Sequence, residues 1–291
     1  MKKKVGTLPS VPEAPNSMQA GHALKEILGE RAVRQLAKNI SLVESSFNTR
    51  LFIASALKGL SELELKARAI HIATALRSTL PERYERGLGV LVDSLSPPME
   101  TAELMGLSGF FYLPHSAYIE LYGVDPAFNG GRDPFEASMT GMYELTKRFT
   151  AEFAVRPSLL ADQSRVLKKL KGWLKDSNPH VRRFCSEGIR PRLPWGLRIP
   201  SLVRDPKPLL PFLEALKDDR ELYVRRSVAN SLGDVAKDHL PLVIEVCERW
   251  LQGAEEERRW VVRHALRYPD KKGIKKASQL RRAAGLRERK R

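Results

Sequence analysis

Two glutamates placed among aromatic residues are the strongest candidates for carboxylate chemistry in this sequence. The first, Glu120, follows an aromatic-rich run over residues 110–119. Pro114 can open a short helix in this run, and Gly123 can close it. Glu120 then lies near the end of that helix and within reach of several aromatic rings.

The second candidate, Glu152, falls in a helix that the apolar spacing predicts from about residue 140 to residue 156. At 100° per residue, four apolar residues of this helix form one stripe, and Glu152 lies at its edge. A carboxylate there is partly desolvated unless a cation faces it. The structural alternative is that Arg156, four residues later, forms an ordinary helical ion pair with Glu152. The stripe consists of Met142, Leu145, Phe149 and Phe153.

A third group of candidates lies in the run over residues 184–195, which contains Glu187, a glycine and two prolines. Glycine and proline break a helix, so we expect an irregular loop that exposes Arg190, Arg192 and Trp195. Loops of this kind often carry function. The structural alternative is that the tryptophan fills a gap between helices.

Motifs for metal or phosphate chemistry are missing from the sequence. None of the six histidines is paired with a second ligand type at metal-binding spacing, and no phosphate-binding glycine loop or Gly-x-Ser-x-Gly elbow occurs. Cys185 and Cys247 fall in apolar helical patterns and are expected to be core thiols. We therefore expect neither a bound metal nor a cofactor.

The fold class predicted from the apolar periodicity is all-α. Helical spacing begins near residue 21, with a break expected at Gly29, and no alternating run of β-branched residues competes with it. A further helix is expected over residues 61–80, where Ser61 and Glu64 form a capping box. Residues 1–17 contain three prolines and few apolar anchors, so they are expected to be disordered.

The C-terminal half contains a repeated motif. Valines followed by arginine occur at Val181, Val224 and Val262, with spacings of 43 and 38 residues. HEAT repeats, which are pairs of antiparallel helices, recur about every 40–47 residues. The pattern predicts an α-solenoid whose valines face the core, while the arginines line one edge of a basic concave surface. The alternative for any one arginine is an ion pair with an aspartate of the neighbouring repeat. The arginines are Arg182, Arg183, Arg225, Arg226 and Arg263.

The net charge of +16 is concentrated in the C-terminal half. Residues 1–160 hold 18 basic and 17 acidic residues, whereas residues 161–291 hold 32 and 17. Such an excess of basic residues favours a polyanionic partner.

Residues 271–291 are expected to form a flexible basic tail. No signal peptide and no stretch near the roughly 20 apolar residues of a membrane span occurs, so we expect a cytoplasmic protein.

These stretches together resemble the AlkC branch of the HEAT-repeat DNA alkylation repair glycosylases, relatives of AlkD. The Ser-Glu-Gly-x-Arg-Pro-Arg-Leu-Pro-Trp run is the most specific of them. The predicted organisation is a disordered segment over residues 1–17, one helical-repeat domain over 18–270 and the tail. The resemblance is carried by residues 63–68, 111–123, 149–157, 180–195 and 223–232.

The resemblance implies a monofunctional glycosylase that excises cationic alkylated bases, N3-methyladenine above all, from duplex DNA in base excision repair. Glu120 and Glu152 are then the catalytic pair: one stabilises the sugar cation and the other handles water, with the assignment open. Glu187 is a third candidate for the substrate site, and the alternative is a supporting role as a partner of Arg190 or Arg192. Tyr112, Tyr118 and Trp195 are expected to stack on the exposed base. Phosphate contacts are assigned to Arg156, Arg182, Arg183, Arg190, Arg192, Arg225, Arg226 and Arg263.

Two other functions remain open from the sequence. One is a non-catalytic HEAT-repeat scaffold that binds nucleic acid or an acidic protein. The other is a helical protein that binds RNA or the ribosome. In the glycosylase interpretation the protein works as a monomer without a cofactor.

Overall fold

The computed structural model describes residues 23–102 and 106–285, and all regular structure within these ranges is helical. The all-α prediction is confirmed. The described residues form two compact units, one of residues 23–99 and 106–154 and one of residues 100–102 and 155–285. The helices before and after residue 154 pack mainly among themselves, and the single helical-repeat domain over residues 18–270 stays a prediction. No helix in the described ranges is long and apolar enough to span a membrane.

Helix α5 is the central helix of the first unit, where it packs against α3, α4 and α6. Helix α1 packs against α2 and α4. Gly29 separates α1 from a preceding 3₁₀ turn, as predicted. In the described part of this unit the α-helices are α1 (Glu30–Val43), α2 (Thr49–Leu57), α3 (Leu65–Arg77), α4 (Tyr84–Asp93), α5 (Leu113–Tyr122) and α6 (Phe135–Thr146).

The capping box predicted at the start of the third helix is wrong. Ser61 lies in a 3₁₀ turn, and α3 begins at Leu65 with no side-chain cap from Glu64. Buried Arg68 explains the difference, because its guanidinium donates to the carbonyls of Ser61 and Leu63 and fixes the turn. The Glu64 carboxylate accepts instead from Lys25 at 2.7 Å.

The single helix predicted over residues 140–156 is also wrong. Helix α6 ends at Thr146, and the next helix begins only at Val155. Between them the Thr150 hydroxyl donates to the Glu152 carboxylate at 2.9 Å and accepts from the Glu152 N–H at 3.3 Å. Local side-chain bonds of this kind compete with helix formation. Glu152 therefore lies in a turn, and the four-residue apolar stripe does not form one helix face.

The second unit contains the predicted repeats. Their second helices are α9, α12 and α14, and α12 packs against both of the others. Val181, Val224 and Val262 lie on these three helices and are fully buried, as predicted. The α-helices described in this unit are α7 (Val155–Ala161), α8 (Gln163–Lys171), α9 (Pro179–Glu187), α10 (Pro200–Arg204), α11 (Leu210–Leu216), α12 (Leu222–Val235), α13 (Leu240–Leu251), α14 (Glu256–Ala265), α15 (Arg267–Lys271) and α16 (Lys275–Ala283).

An arginine at the start of α9 joins two successive repeats. Arg182 is buried and donates through Nε and Nη2 to the two carboxylate oxygens of Asp219, at 2.6 and 3.0 Å. Its Nη1 donates to the carbonyls of Asp176 and Ser177 in the preceding turn. Arg182 thus forms the ion pair with an aspartate of the neighbouring repeat that was the alternative prediction, and its predicted place on an outer surface is wrong.

The C-terminal segment is folded as far as the structure describes it. Helix α16 packs on α13 and α14 and buries Ala277, Leu280 and Ala284. These residues recur every three or four positions and form an apolar stripe, so the predicted flexible tail is wrong for residues 271–285. Residues 286–291 and the segment 1–17, which we predicted to be disordered, lie outside the described residues.

We expect Arg182→Ala to destabilise the protein by about 3 kcal/mol, because it leaves the buried Asp219 carboxylate without its partner. Urea denaturation followed by circular dichroism measures the loss. Arg226→Ala is the control, since Arg226 is exposed on α12, and a change within about 0.5 kcal/mol is expected there. Equal stability of the two variants would contradict the joining role of Arg182.

Candidate functional site

Helix α5 begins and ends where the sequence predicts. Pro114 occupies its first turn, and the Gly123 N–H donates to the Ile119 carbonyl at its end. Only glycine fits at position 123, because the hydroxyls of Ser138 and Tyr84 lie so close to its Cα that a Cβ would be 2.7 Å from both. This packed end fixes the last turn of α5, which carries Glu120.

One face of α5 forms a wall of a small hollow in the first unit. The hollow has a volume of about 40 Å³, which is too small for a nucleobase. Two of its lining residues, Lys66 and Ile70, are exposed, and most of the others are apolar. The lining residues are Lys66, Ala69, Ile70, Leu113, Ser116, Ala117, Glu120 and Phe153.

Glu120 is the acidic group of this hollow. The carboxylate is half-buried, and burial raises its pKa, while the nearby Lys66 ammonium acts in the opposite direction. Among the residues that the structure describes, no side chain or backbone N–H donates a hydrogen bond to it. Its oxygens therefore keep their acceptor capacity for a ligand, and the raised pKa makes the carboxylate a stronger base.

Glu152 lies one residue from the wall of the same hollow. Phe153 lines the hollow, and the Lys66 ammonium lies 5.8 Å from the centre of the Phe153 ring. The Glu152 carboxylate is half-buried and held by the Thr150 hydroxyl in the turn before α7. The structure therefore brings the two predicted catalytic glutamates to one region of the first unit.

Tyr112 and Tyr118 belong to the core of the first unit. Both are fully buried. The Tyr112 hydroxyl donates to Ser96 Oγ at 2.7 Å, and the Tyr118 ring stacks on Tyr84 with centroids 5.7 Å apart. Neither ring presents a face to a ligand, because the packing of α5 encloses both, and this corrects their predicted role in stacking on a base.

Arg156 is a buried support of the 188–199 loop. Its guanidinium donates to the carbonyls of Leu197, Gly188 and Arg190, at 2.7, 2.9 and 2.7 Å. The side chain is fully buried. Its predicted contact with a phosphate is therefore wrong for this structure, because the guanidinium is committed to loop carbonyls.

Glu187 and Arg190 form the centre of a buried ion-pair network. Arg190 donates to Glu187 at 2.5 Å and to Asp234 on α12 at 2.8 Å. Burial acts to raise the pKa of Glu187, but the charges of Arg183 and Arg190 together with hydrogen bonds outweigh it, so the pKa is lowered. Glu187 is thus a partner of Arg190, as one of the sequence interpretations had it, and Arg190 is not available to a phosphate.

The remaining predicted arginines differ in their exposure. Arg192 pairs with Asp238 at 2.7 Å, Arg225 donates to the carbonyls of Asp219 and Arg220, and Arg263 pairs with Glu256. Arg183 is half-buried beside the Tyr223 ring, and Arg226 is exposed.

The spacing of acidic residues in the sequence could have indicated these ion pairs, because the acidic partners of Arg182, Arg190 and Arg192 follow them by 37, 44 and 46 residues. The motif search missed exposed basic residues on α8, namely Arg165, Lys168 and Lys171, whereas Lys275, Lys276 and Arg282 on α16 fall in the predicted basic tail.

Trp195 is exposed to solvent in the 188–199 loop. Its residue surface is 60% exposed, and Leu197 beside it is 47% exposed. The Trp195 backbone has a φ of 63°, in the left-handed region that a bulky residue adopts only at a cost of about 1 kcal/mol or more. The alternative of a tryptophan that plugs a gap between repeats is wrong.

Three comparisons relate the chain to known proteins. Residues 150–268 match the family described as "DNA alkylation repair enzyme". The chain is 39% identical over 258 residues to the uncharacterized protein YhaZ of Bacillus subtilis (strain 168), with 88% of this chain and 67% of YhaZ covered. It is also similar to Pseudomonas fluorescens alkylpurine DNA glycosylase AlkC bound to DNA containing an abasic site analog. That match has a TM-score of 0.78 and 35% identity, covering 90% of this chain and 68% of the other.

We expect Glu120→Gln to stabilise the protein modestly at neutral pH. A carboxylate whose pKa is raised in the folded state costs stability when ionised, and this cost disappears below the pKa of the unfolded chain. The gain in thermal midpoint should therefore be present at pH 7.5 and vanish near pH 4. Glu82→Gln, in an exposed turn of the same unit, is the control and should show no such trend. A gain for Glu120→Gln that grows as the pH falls would contradict this electrostatic account.

Proposed function

Because this chain belongs to the DNA alkylation repair enzyme family, we propose that it is a DNA glycosylase that removes cationic alkylated bases from duplex DNA. The bond that it breaks is the N-glycosidic bond, and water is the acceptor, which makes it a monofunctional enzyme. The observation that carries the proposal is the Glu120 carboxylate, half-buried on the wall of a hollow and without a hydrogen-bond donor among the described residues. N3-methyladenine is the preferred substrate class.

The chemistry of the substrate explains why two carboxylates suffice. Methylation at a ring nitrogen gives the base a positive charge, so the base departs as a neutral molecule without a strong general acid. The sugar develops oxocarbenium character as the bond breaks, and a nearby carboxylate stabilises that charge. The second carboxylate takes the proton of the attacking water.

The different surroundings of Glu152 and Glu120 suggest which of them faces the sugar and which accepts the proton of water. Glu152 is oriented by the Thr150 hydroxyl and is assigned the fixed negative charge that faces the sugar. Glu120 has open acceptor positions and a raised pKa, and these properties suit a base that receives a proton from water. The hollow beside Glu120 is too small for a base, so the damaged nucleotide is expected to meet these glutamates without entering a deep pocket.

Binding to DNA is assigned to exposed basic side chains of the second unit, Arg226 among them, rather than to its buried arginines. The excess of basic residues in the C-terminal half supports this assignment. Trp195 is assigned contact with the exposed base or its neighbours, because an aromatic face attracts a cationic base. We expect a monomer that acts on DNA in the cytoplasm or nucleoid.

The direct test is incubation of the purified protein with methylated duplex DNA, followed by chromatography of the released bases. We expect release of N3-methyladenine by the wild type. Glu120→Gln and Glu152→Gln should each slow single-turnover excision by about 100-fold or more while DNA binding is retained, because charge is lost and shape is kept.

Glu82→Gln is the matched control and should excise at the wild-type rate. Absence of base release by folded wild-type protein that binds DNA would leave the non-catalytic scaffold as the better interpretation. Unchanged excision by either active-site variant would refute the role of that glutamate.

We expect Trp195→Ala to weaken binding to duplex DNA containing an abasic-site analogue by about 10-fold, since loss of one base–aromatic stack costs about 1–3 kcal/mol. Fluorescence anisotropy of labelled DNA measures the change. Tyr268→Ala removes another exposed aromatic ring of the same unit and should have a smaller effect. Equal losses for the two variants would argue against a specific contact by Trp195.

A further inference from the structure

Four side chains of the second unit form a cluster on the surface of α12, α14 and α15, the Asn230 cluster. The Asn230 amide oxygen accepts from Arg267 Nη2 at 3.0 Å and lies 3.1 Å from His264 Nε2. Arg226 lies on α12 one turn before Asn230, on the same face of that helix. The two arginines are exposed, whereas the other two side chains are half-buried. The fold therefore presents two guanidinium groups on one surface.

The histidine of the cluster is held in place by Trp260. The two rings stack with centroids 4.7 Å apart and an angle of 14° between their planes. Because an amide oxygen can only accept, His264 Nε2 carries the hydrogen and donates it to Asn230. This bond and the ring stack fix the Asn230 side chain, which in turn orients the guanidinium of Arg267.

Neither arginine of the cluster has an acidic partner among the residues that the structure describes. Arg267 donates to the His264 carbonyl at 2.7 Å and to the Asn230 amide oxygen, and both acceptors are neutral. Arg226 forms no ion pair or hydrogen bond within the described ranges. A guanidinium offers five N–H donors, so most of the donor capacity of both side chains remains for a group from outside the chain.

The neighbouring carboxylates are paired with other cations. Asp234 lies on α12 one turn after Asn230 and accepts from Arg190 Nε at 2.8 Å. Asp270 on α15 pairs with Arg281. A carboxylate thus balances an arginine at position 234, whereas position 230 places a neutral amide beside an arginine. The cluster therefore keeps the positive charge of both its arginines.

The charges around the cluster repel one another. Burial lowers the pKa of Arg267, and the charges of Arg190 and Arg281 act in the same direction. Burial and then the surrounding guanidiniums, that of Arg267 first, lower the pKa of His264 to about 4, so its ring is neutral at pH 7. By contrast, a carboxylate partner raises the pKa of Arg192. An anion bound at the cluster would relieve this repulsion, because it supplies the missing negative charge.

We propose that Arg226 and Arg267 bind the phosphate backbone of DNA, and that Asn230 and His264 are positioning residues that orient the Arg267 guanidinium. The proposal rests on the proposed function, which makes duplex DNA the polyanionic partner. Phosphate oxygens accept charge-assisted hydrogen bonds from a guanidinium, and a side chain that is oriented in advance loses less entropy on binding. A neutral amide at position 230 orients Arg267 without cancelling its charge, which a carboxylate there would do.

The sharpest test is Asn230→Asp, which keeps the shape of the side chain and places a carboxylate beside the arginines. We expect the thermal midpoint to rise, because the repulsion is relieved, while the affinity for duplex DNA falls about 10-fold, the value of one charge-assisted hydrogen bond. Circular dichroism and fluorescence anisotropy measure the two quantities. A fall in both stability and affinity would indicate a structural role for Asn230, and unchanged affinity would exclude a phosphate contact; either result overturns the proposal.

A second test measures how binding depends on salt. Each phosphate contact adds about 0.9 to the slope of log Kd against log[KCl], so Arg267→Gln should lower that slope by about 1. Arg50→Gln is the matched control, because Arg50 is an exposed arginine of the first unit that likewise has no ion pair within the described ranges. Its slope should equal that of the wild type.

The failure of this proposal and the failure of the proposed function give different results. Equal slopes for the wild type and Arg267→Gln would overturn the phosphate contact, and excision of N3-methyladenine by the wild type would leave the glycosylase standing. A lower slope for Arg267→Gln without base release by the wild type would support the phosphate contact and reject the glycosylase. Tighter binding of duplex RNA than of duplex DNA by the wild type would assign the cluster to RNA and overturn the proposal.

Discussion

A charged side chain that is removed from water needs a partner, and this constraint organises the second unit. Arg182 and Arg190 are buried in ion pairs with Asp219 and Asp234, which lie one repeat later in the chain. Each pair fixes the spacing between successive repeat helices. Arg156 obeys the same constraint with backbone carbonyls, so that an irregular loop acquires a rigid base.

The candidate active site of the first unit contains a carboxylate that does not follow this constraint. Glu120 is half-buried on one face of α5, and no side chain or backbone N–H among the described residues donates a hydrogen bond to it. Departures of this kind cost stability, and proteins retain them where function requires them. A carboxylate that the fold leaves without a donor keeps its acceptor capacity for a ligand.

Trp195 is a second residue whose conformation costs stability. A bulky residue with a positive φ is strained, and an exposed tryptophan gains little from burial. The loop keeps this arrangement because Arg156 and the ion pairs of Arg190 and Arg192 hold its backbone. Contacts at the foot of the loop thus offset the cost of this strained and exposed tryptophan.

Local sequence pattern correctly predicted the helical class, the repeat register and the position of Glu120 near the end of α5, because apolar spacing, proline and glycine act over a few residues. It did not determine which arginines are surface groups, because an arginine and its acidic partner lie about 40 residues apart and only the stacking of repeats brings them together. The turn around Glu152 and the burial of Tyr112 and Tyr118 were likewise decided by tertiary packing. Local pattern cannot tell an aromatic ring that faces a ligand from one that fills the core.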